Sequence, residues 1–319
     1  MANSVSIYIW NVAHGNAIYI QTPTGKKIVI DLGAQSLNKT TKSGYSDFDS
    51  INHVCKNYTK VIDHLIITHP HKDHIECIEK LQHLLSNGEL TVKSVHYPSD
   101  LTDKLIKDYL KSRNIKDGEG PKYRINYYRA MAFNKKVRNV KELSQINSKG
   151  RPESREGREG RVINIGEVKL TIYYPYRHQS KNLNEYSLVT ILEYGNFKMV
   201  LPGDNERRSQ EELLSSTSFK KKGRNATILF ASHHGRDSGY HKDFVEHVNP
   251  NTVVVSDANE KETVDEEYKK SMKRKPLNVN GKPQKVVCTS KMGRVRITVT
   301  KSSRKATIST IDTKQSKLL

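Results

Sequence analysis

Thr68-His69-Pro70-His71-Lys72-Asp73-His74 decides the reading of this chain. It follows an apolar run of strand length, Val61–Thr68, and precedes a segment where Ile75, Ile78, Leu81, Leu84 and Leu85 recur at helical spacing. Three histidines and an aspartate therefore crowd a strand-to-helix junction. His69 and His71, two apart in an extended loop, project to one side and can share one ion. Asp73 and His74 lie further round the turn and can reach a second.

Two later strand ends carry matching chemistry. Leu201-Pro202-Gly203-Asp204 follows the apolar strand Phe197–Leu201, with a glycine to permit a sharp turn, so Asp204 is the expected carboxylate bridging both ions. The strand Thr227–Ala231 ends in Ser232-His233-His234-Gly235. Adjacent side chains at a strand end diverge, so one of His233 and His234 is expected to ligate metal and the other to face the substrate. Asp73 and His234 are the side chains expected closest to the chemistry.

Around these motifs, Ser4–Trp10, Ala17–Gln21 and Lys27–Asp31 read as a β-meander with glycine-containing turns. Helices are expected at Phe48–Tyr58, from Ile75 to about Leu85, at Asp103–Ser112, Glu206–Leu214, Lys242–His247 and Val264–Met272. Further strands are expected at Val168–Tyr174, Leu188–Tyr194, Thr252–Val255, Lys285–Cys288, Val295–Val299 and Ala306–Ile308. Hairpins at both ends with α/β alternation between them suit two mixed sheets packed face to face with helices outside, an αββα sandwich. One domain over residues 1–319 is expected, with a basic insertion at about 100–160 and a basic C-terminal β segment at about 261–319. The polar stretch Ser148–Gly160 reads as a mobile loop.

These motifs occur in the order of the metallo-β-lactamase superfamily, which the chain resembles. More narrowly, Asn11-Val12-Ala13-His14-Gly15-Asn16-Ala17, Asn184-Glu185-Tyr186-Ser187-Leu188-Val189 and His233-His234-Gly235 resemble the metallo-hydrolase domain of bacterial DNA-uptake competence channels and its stand-alone relatives. The likeness runs from Ser4 to Asp257, interrupted by the basic insertion. It implies a dinuclear centre, zinc first and manganese as the alternative. His69 and His71 would hold one ion; Asp73, His74 and one of His233/His234 the other; Asp204 would bridge. Asp31 would accept the second ring N–H of a ligand histidine, fixing its tautomer. The sequence departs from the family in two places. Where many members place a third histidine for the first ion, this chain has Asn184–Ser187, so Asn184 and Glu185 are the nearest candidates and the first site is expected to be more open and less zinc-selective. In the first loop, His14 and Asn16 replace the usual Gln and Asp.

Charge narrows the substrate. Of a formal net charge of +20, residues 101–182 hold an excess of 11 (20 Lys/Arg against 9 Asp/Glu) and residues 261–319 another 11 (16 against 5), leaving −2 for the rest. Lys122, Arg124, Arg129, Lys135, Lys136 and Arg138 interleave with Tyr123, Tyr127, Tyr128 and Phe133, a mixture suited to phosphate contacts and base stacking. The alternative is an ordinary solvated surface over core aromatics. The expected function is metal-dependent hydrolysis of phosphodiesters, foremost as a DNA or RNA nuclease, with a role in bacterial defence left open. A small-molecule phosphodiesterase and a non-catalytic nucleic-acid-binding subunit are the competing readings. Expected partners are nucleic acid, DNA ahead of RNA, with a regulatory protein left open and no membrane. Cys55, Cys77 and Cys288 form no C-x-x-C pair, no signal peptide or spanning segment is read, and a cytoplasmic location is expected. No G-x-S-x-G elbow, Walker loop or catalytic cysteine context competes with the metal site.

Overall fold

The computed structural model describes residues 4–34, 49–98, 101–114, 125–126, 128–129, 140–146, 160–174, 182–258, 262–301 and 306–311. The N-terminal alternation produces β1 (Ser4–Ile9), which turns Val5, Ile7 and Ile9 inward while Ser4, Ser6 and Tyr8 stay half-buried. In chain order follow β2 (Ile18–Gln21), β3 (Lys27–Ile30), α1 (Ser50–Asn57), β4 (Val61–Ile66), α2 (Ile78–Ser86), β5 (Thr91–Pro98), α3 (Asp103–Ser112) and β6 (Val140–Ile146). The second half supplies β7 (Arg161–Ile165), β8 (Val168–Tyr173), β9 (Val189–Tyr194), β10 (Phe197–Leu201), α4 (Arg207–Ser215), α5 (Thr217–Gly223), β11 (Ile228–Phe230), α6 (Lys242–Val248) and β12 (Thr252–Val255). The C-terminal part adds α7 (Asp265–Ser271), β13 (Leu277–Val279), β14 (Lys282–Gln284), β15 (Val286–Cys288), α8 (Thr289–Met292), β16 (Arg294–Thr300) and β17 (Ala306–Ile311).

Two sheets result. The first runs β14-β13-β17-β16-β1-β2-β3-β4-β5-β6 and the second β15-β12-β11-β10-β9-β8-β7. Their inner faces share one apolar layer, in which Ile7, Ile20, Ile28 and Ile66 meet Leu170, Leu192, Met199 and Phe230. A second layer packs the outer face of the first sheet, through Val29, Leu65 and Val92, on α1, α2 and α3. A third does the same for Val200, Leu229 and Val253 against α4, α5, α6 and α7. This is the αββα sandwich read from the sequence.

The structure departs from the expected elements where the site begins. After His71 the chain makes one 3₁₀ turn, Lys72–His74, and α2 starts only at Ile78. The tight turn, closed by Ile75 N–H on the carbonyls of His71 and Lys72, sets Asp73 and His74 at a different angle from the helix that follows. Five strands, β5, β6, β7, β13 and β14, are absent from the sequence reading, and β6, β7 and β14 lie at sheet edges. β5 is buried over Ser94–Pro98 without alternation because it is covered on both faces, so the period-two signal is lost. The basic insertion contributes α3 and the edge strand β6, which pairs parallel to β5. The stretch at 148–159 lies outside the described residues, as do Lys122, Arg124, Lys135, Lys136 and Arg138. Among the described residues no helix is long and apolar enough to cross a membrane.

One core histidine has a consequence for stability. His96 on β5 is buried with Nε2 3.1 Å from Nδ1 of His64 on β4. Burial first, then the neighbouring His64 and Arg161 charges, pushes His96 down to about 3. Its folded value lies below its unfolded one, so this contribution is complete above pH 6.5 and is lost as acid approaches pH 3. Stability followed by urea unfolding is expected to fall by about 3 kcal/mol at about pH 4 from this group alone. His96→Gln should lack that part of the slope, and identical pH slopes for the two proteins would refute the assignment.

Candidate metal centre

Every candidate ligand sits just beyond the C-terminal end of a strand. β3, β4 and β5 are mutually parallel, as are β10, β11 and β12, and the ends of β4, β10 and β11 bring the ligands together on one side of the sandwich. Backbone bonds then fix the loops to one another. Leu188 N–H donates to the Thr68 carbonyl (3.1 Å), His233 N–H to the Gly203 carbonyl (3.2 Å), and Ser256 Oγ to the Gly15 carbonyl (2.8 Å). Two close approaches need glycine. A Cβ on Gly15, at φ +136°, would lie 2.4 Å from the Asp73 carbonyl oxygen, and one on Gly203, at φ +60°, 2.9 Å from Ser187 Cβ.

His233 and His234 both adopt left-handed backbone, at φ 46° and 58°. Such conformations cost on the order of 1–3 kcal/mol each for side chains other than glycine. They are retained because the turn is tied down by Ser232 Oγ on the Gly203 carbonyl and by His233 N–H on the same acceptor.

The donors converge in two groups sharing Asp204. Asp73, His74, Asp204 and His234 form one and His69, His71 and Asp204 the other, with donor atoms in each within 4.8 Å of one another. Asp204 Oδ2 is 3.1 Å from His74 Nε2, 3.4 Å from His234 Nε2 and 3.7 Å from His69 Nε2; Asp73 Oδ2 is 3.0 Å from His234 Nε2. The far ring nitrogens are anchored: His74 Nδ1 to Asp31 Oδ2 at 2.7 Å, His234 Nδ1 to the Ser256 carbonyl at 3.0 Å. Asp31 is itself held by Thr68 N–H (2.8 Å) and Thr68 Oγ1. The near atoms, Nε2 of His69, His71, His74 and His234 and Oδ1 of Asp204, are buried with no hydrogen-bond partner. Buried polar atoms are normally satisfied, and anchored Nδ1 atoms direct Nε2 inward as lone-pair donors. This donor set fits divalent cations.

Electrostatics agree. Burial holds His69 well below the ordinary imidazole value, reinforced by His74 and His71, and it lowers His71 as well. For Asp73 and Asp204 burial acts upward, but His74 and His234 outweigh it and hold both carboxyls well below the usual range. For His74 and His234 burial acts downward, and the surrounding carboxylates outweigh it. Asp204, Asp31 and Asp73 raise His74 well above normal, and Asp204 with Asp73 pushes His234 up to about 10.

The remaining expected residues fall in distinct places. His14 bridges toward the centre, with Nε2 3.4 Å from Asp73 Oδ2, Nδ1 3.5 Å from Asp257 Oδ1, and its ring 4.2 Å from that of His234. His233 is not brought into either donor group; its Nδ1 meets Ser238 Oγ at 2.7 Å and its side chain lines the cavity over the centre. Consecutive left-handed residues turn the two imidazoles apart, so only His234 points inward. Asn184 lines the cavity, and Glu185, buried beside it in the turn Leu183–Tyr186, belongs to neither donor group. Arg129 is engaged within the chain, by an ion pair with Asp103 and a 2.9 Å bond to Asn126 Oδ1. Tyr128, expected to stack on bases, is instead fully buried against Tyr97 in the outer core.

Sequence reasoning missed several cavity residues. Ser112 and Arg113 at the end of α3, with Asn182 and Glu206, line the same ≈ 540 Å³ cavity as His14, His71, Asp73, Asn184, Asp204 and His233. Asp257, 1% exposed, sits behind His14 beside Arg236. A signal for Asp257 existed, since it follows β12 as Asp204 follows β10. Arg113 had none, because it is brought in by tertiary packing of α3.

An αββα sandwich whose strand-end loops assemble His/Asp donors around H-x-H-x-D-H has the architecture of the metallo-β-lactamase fold. No family model matches the chain. It is similar to ComE operon protein 3 of Bacillus subtilis, at 26% identity over 101 residues, 32% of this chain and 12% of that protein, so the match spans about an eighth of the relative's length. Among solved structures it is similar to the metallo-β-lactamase fold protein YhfI from Bacillus subtilis (12% identity, TM-score 0.48, 89% of this chain and 95% of that one). A diphosphatase from the PhnP family is similar as well (13% identity, TM-score 0.46, 93% and 98%).

Because the surrounding carboxylates raise His74 and His234, incoming cations are expected to displace protons from these rings. Calorimetric titration in buffers of differing ionisation enthalpy is expected to show roughly one proton or more released per chain at about pH 7. Affinity should rise with pH up to the His234 value of about 10; binding without proton release would contradict these pKa directions. Gly15→Ala should displace Asp73 and weaken the ion at the four-donor group roughly tenfold, and unchanged affinity would show that the close approach does not position Asp73.

Proposed function

We propose that this chain is a metal-dependent phosphodiesterase that cuts nucleic acid, DNA ahead of RNA. The observation that carries the reading is the placement of Arg113 in the same cavity as His71, Asp73 and Asp204, with every described lining residue polar or charged. Such a lining offers little to an apolar acyl or lactam substrate, whereas a phosphodiester presents two non-bridging oxygens sharing one negative charge to a guanidinium and to cations. Divalent ions, zinc first and manganese as the alternative, would be held by His69, His71 and Asp204 and by Asp73, His74, Asp204 and His234. When bound, such ions supply a water ionised near neutrality and neutralise phosphoryl charge.

The protein's own groups do the positioning. Arg113 lies 5.9 Å over the Tyr109 ring, and that ring lies 5.5 Å from His71, so the cation is braced against the ligand loop. His233, anchored through Nδ1 by Ser238, leaves Nε2 as the ring nitrogen for a substrate oxygen. Asp31 and the Ser256 carbonyl keep His74 and His234 from rotating. On α3, Lys104 and Lys111 are exposed and add positive charge to the start of the basic insertion. The motif likeness to DNA-uptake competence proteins supports the same substrate. The cavity's modest volume favours a small phosphodiester as the second reading. A purely structural nucleic-acid binder would have no use for four inward imidazoles.

Plasmid, single-stranded DNA, RNA and bis(p-nitrophenyl) phosphate should be offered to the protein with added Zn²⁺, Mn²⁺ or Mg²⁺. Cleavage of nucleic acid is expected and should be abolished by Asp73→Ala. Arg113→Ala should raise KM about tenfold, the cost of one charge-assisted phosphate contact. Turnover of the small ester alone would move the assignment to the second reading, and metal-loaded protein that leaves all four intact would sink both.

A further inference from the structure

The two donor groups are unequal: Asp73, His74, Asp204 and His234 make four donors, whereas His69, His71 and Asp204 make three, one of them shared. Resting on the metal-centre reading above, we propose that the amide oxygen of Asn184 is the further protein donor to the ion at His69 and His71, and that Glu206 holds the amide in that orientation.

Three observations converge on Asn184. The turn Leu183–Tyr186 that carries it is pinned between the two ligand loops: Leu188 N–H bonds the carbonyl of Thr68, the residue before His69, and Ser187 Oγ accepts from Asp204 N–H at 3.1 Å. Its side chain is 5% exposed and lines the cavity together with His71, Asp204 and Glu206. Its Nδ2 donates to Glu206 Oε1 at 2.8 Å. A carboxylate oxygen only accepts, so the NH₂ end must face Glu206 and Oδ1 must face away from it. That Oδ1 is buried and has no hydrogen-bond partner.

Chemistry then limits what can satisfy it. Asn184 Oδ1 is an acceptor, and His69 Nε2 and His71 Nε2 are buried beside the centre and equally without a hydrogen-bond partner. A cation satisfies all three at once. With Asn184 the position becomes two imidazole nitrogens and two oxygens, a set nearer to the preference of manganese than a three-imidazole zinc site. The first ion is therefore held with little discrimination between Zn²⁺ and Mn²⁺, and the amide is the element that determines it.

The full-length chain and its variants can be titrated with Zn²⁺ and with Mn²⁺ against a chromophoric chelator, and with Co²⁺ read by its visible absorption. Wild type should take up two ions. Asn184→Leu, which keeps the forked side-chain skeleton and removes the oxygen, should weaken one ion at least tenfold and leave the other within about twofold, the retained ion showing that the fold survives. Glu206→Gln should weaken the same ion by a smaller factor, because an amide partner no longer dictates which end of Asn184 faces the metal. Asn184→His should raise the preference for Zn²⁺ over Mn²⁺ at that position at least tenfold and intensify the tetrahedral Co²⁺ bands. Two ions bound equally tightly by wild type and Asn184→Leu, or an unchanged Zn²⁺/Mn²⁺ ratio in Asn184→His, would overturn the assignment while leaving the metal centre intact. A wild type that binds no ion would take down the metal-centre reading itself, and this assignment with it.

Discussion

Asp31 and His74 are both wholly buried and meet at 2.7 Å, and the arrangement of the site follows from that contact. A carboxylate removed from water costs several kcal/mol unless its lone pairs are met. Asp31 meets them with Thr68 N–H, Thr68 Oγ1 and the His74 ring. The same three bonds tie the end of β3 to the loop after β4. With Nδ1 committed to Asp31, His74 can present only Nε2 to Asp73 and Asp204. The backbone accepts a left-handed φ of 59° at Asp31 to aim the carboxylate. Removing this group would leave an imidazole free to rotate and a buried loop without its principal anchor.

The sandwich supplies what the contact needs, namely rigidity from two directions. Asp73, His74, His69 and His71 ride on the first sheet, whereas Asp204 and His234 ride on the second, so the spacing between donors is set by sheet-to-sheet packing. That packing is a continuous layer of branched aliphatic and aromatic side chains, which resists compression and holds distances to fractions of an ångström. Ser256 Oγ on the Gly15 carbonyl and Leu188 N–H on the Thr68 carbonyl stitch the loops across the gap.

What could be read from sequence was whatever is local. H-x-H-x-D-H, Asp204 after Gly203 and the His233-His234 pair are each contained in a few residues at a strand end, where hydrophobic run and polar donor abut. The αββα order was equally legible from runs that bury one face. The choice between His233 and His234 was not, since it depends on two successive left-handed backbones that composition does not announce. Glu206 and Arg113 enter the cavity only through packing of α4 and α3. Tyr128 misled for a related reason: it has the composition of a stacking platform and the position of a core residue, and periodicity in so short a stretch cannot separate the two.

The distribution of charge gains a different meaning once the elements are placed. The C-terminal basic segment is not an appendage, because β16 pairs directly with β1 in the interior of the first sheet. Val295, Ile297 and Val299 face the core there, and Arg296 lies outward over the Tyr8 ring. Arg294 and Arg296 thus decorate a structural strand, as alternation in a half-buried sheet requires. By contrast α3 has its apolar face, Ile106 and Leu110, in the outer core and its C-terminal end in the cavity. Among the described residues of two segments with equal excess charge, only the first brings a guanidinium, that of Arg113, beside the metal donors. Net charge alone cannot distinguish them; the register of β16 and the end point of α3 do.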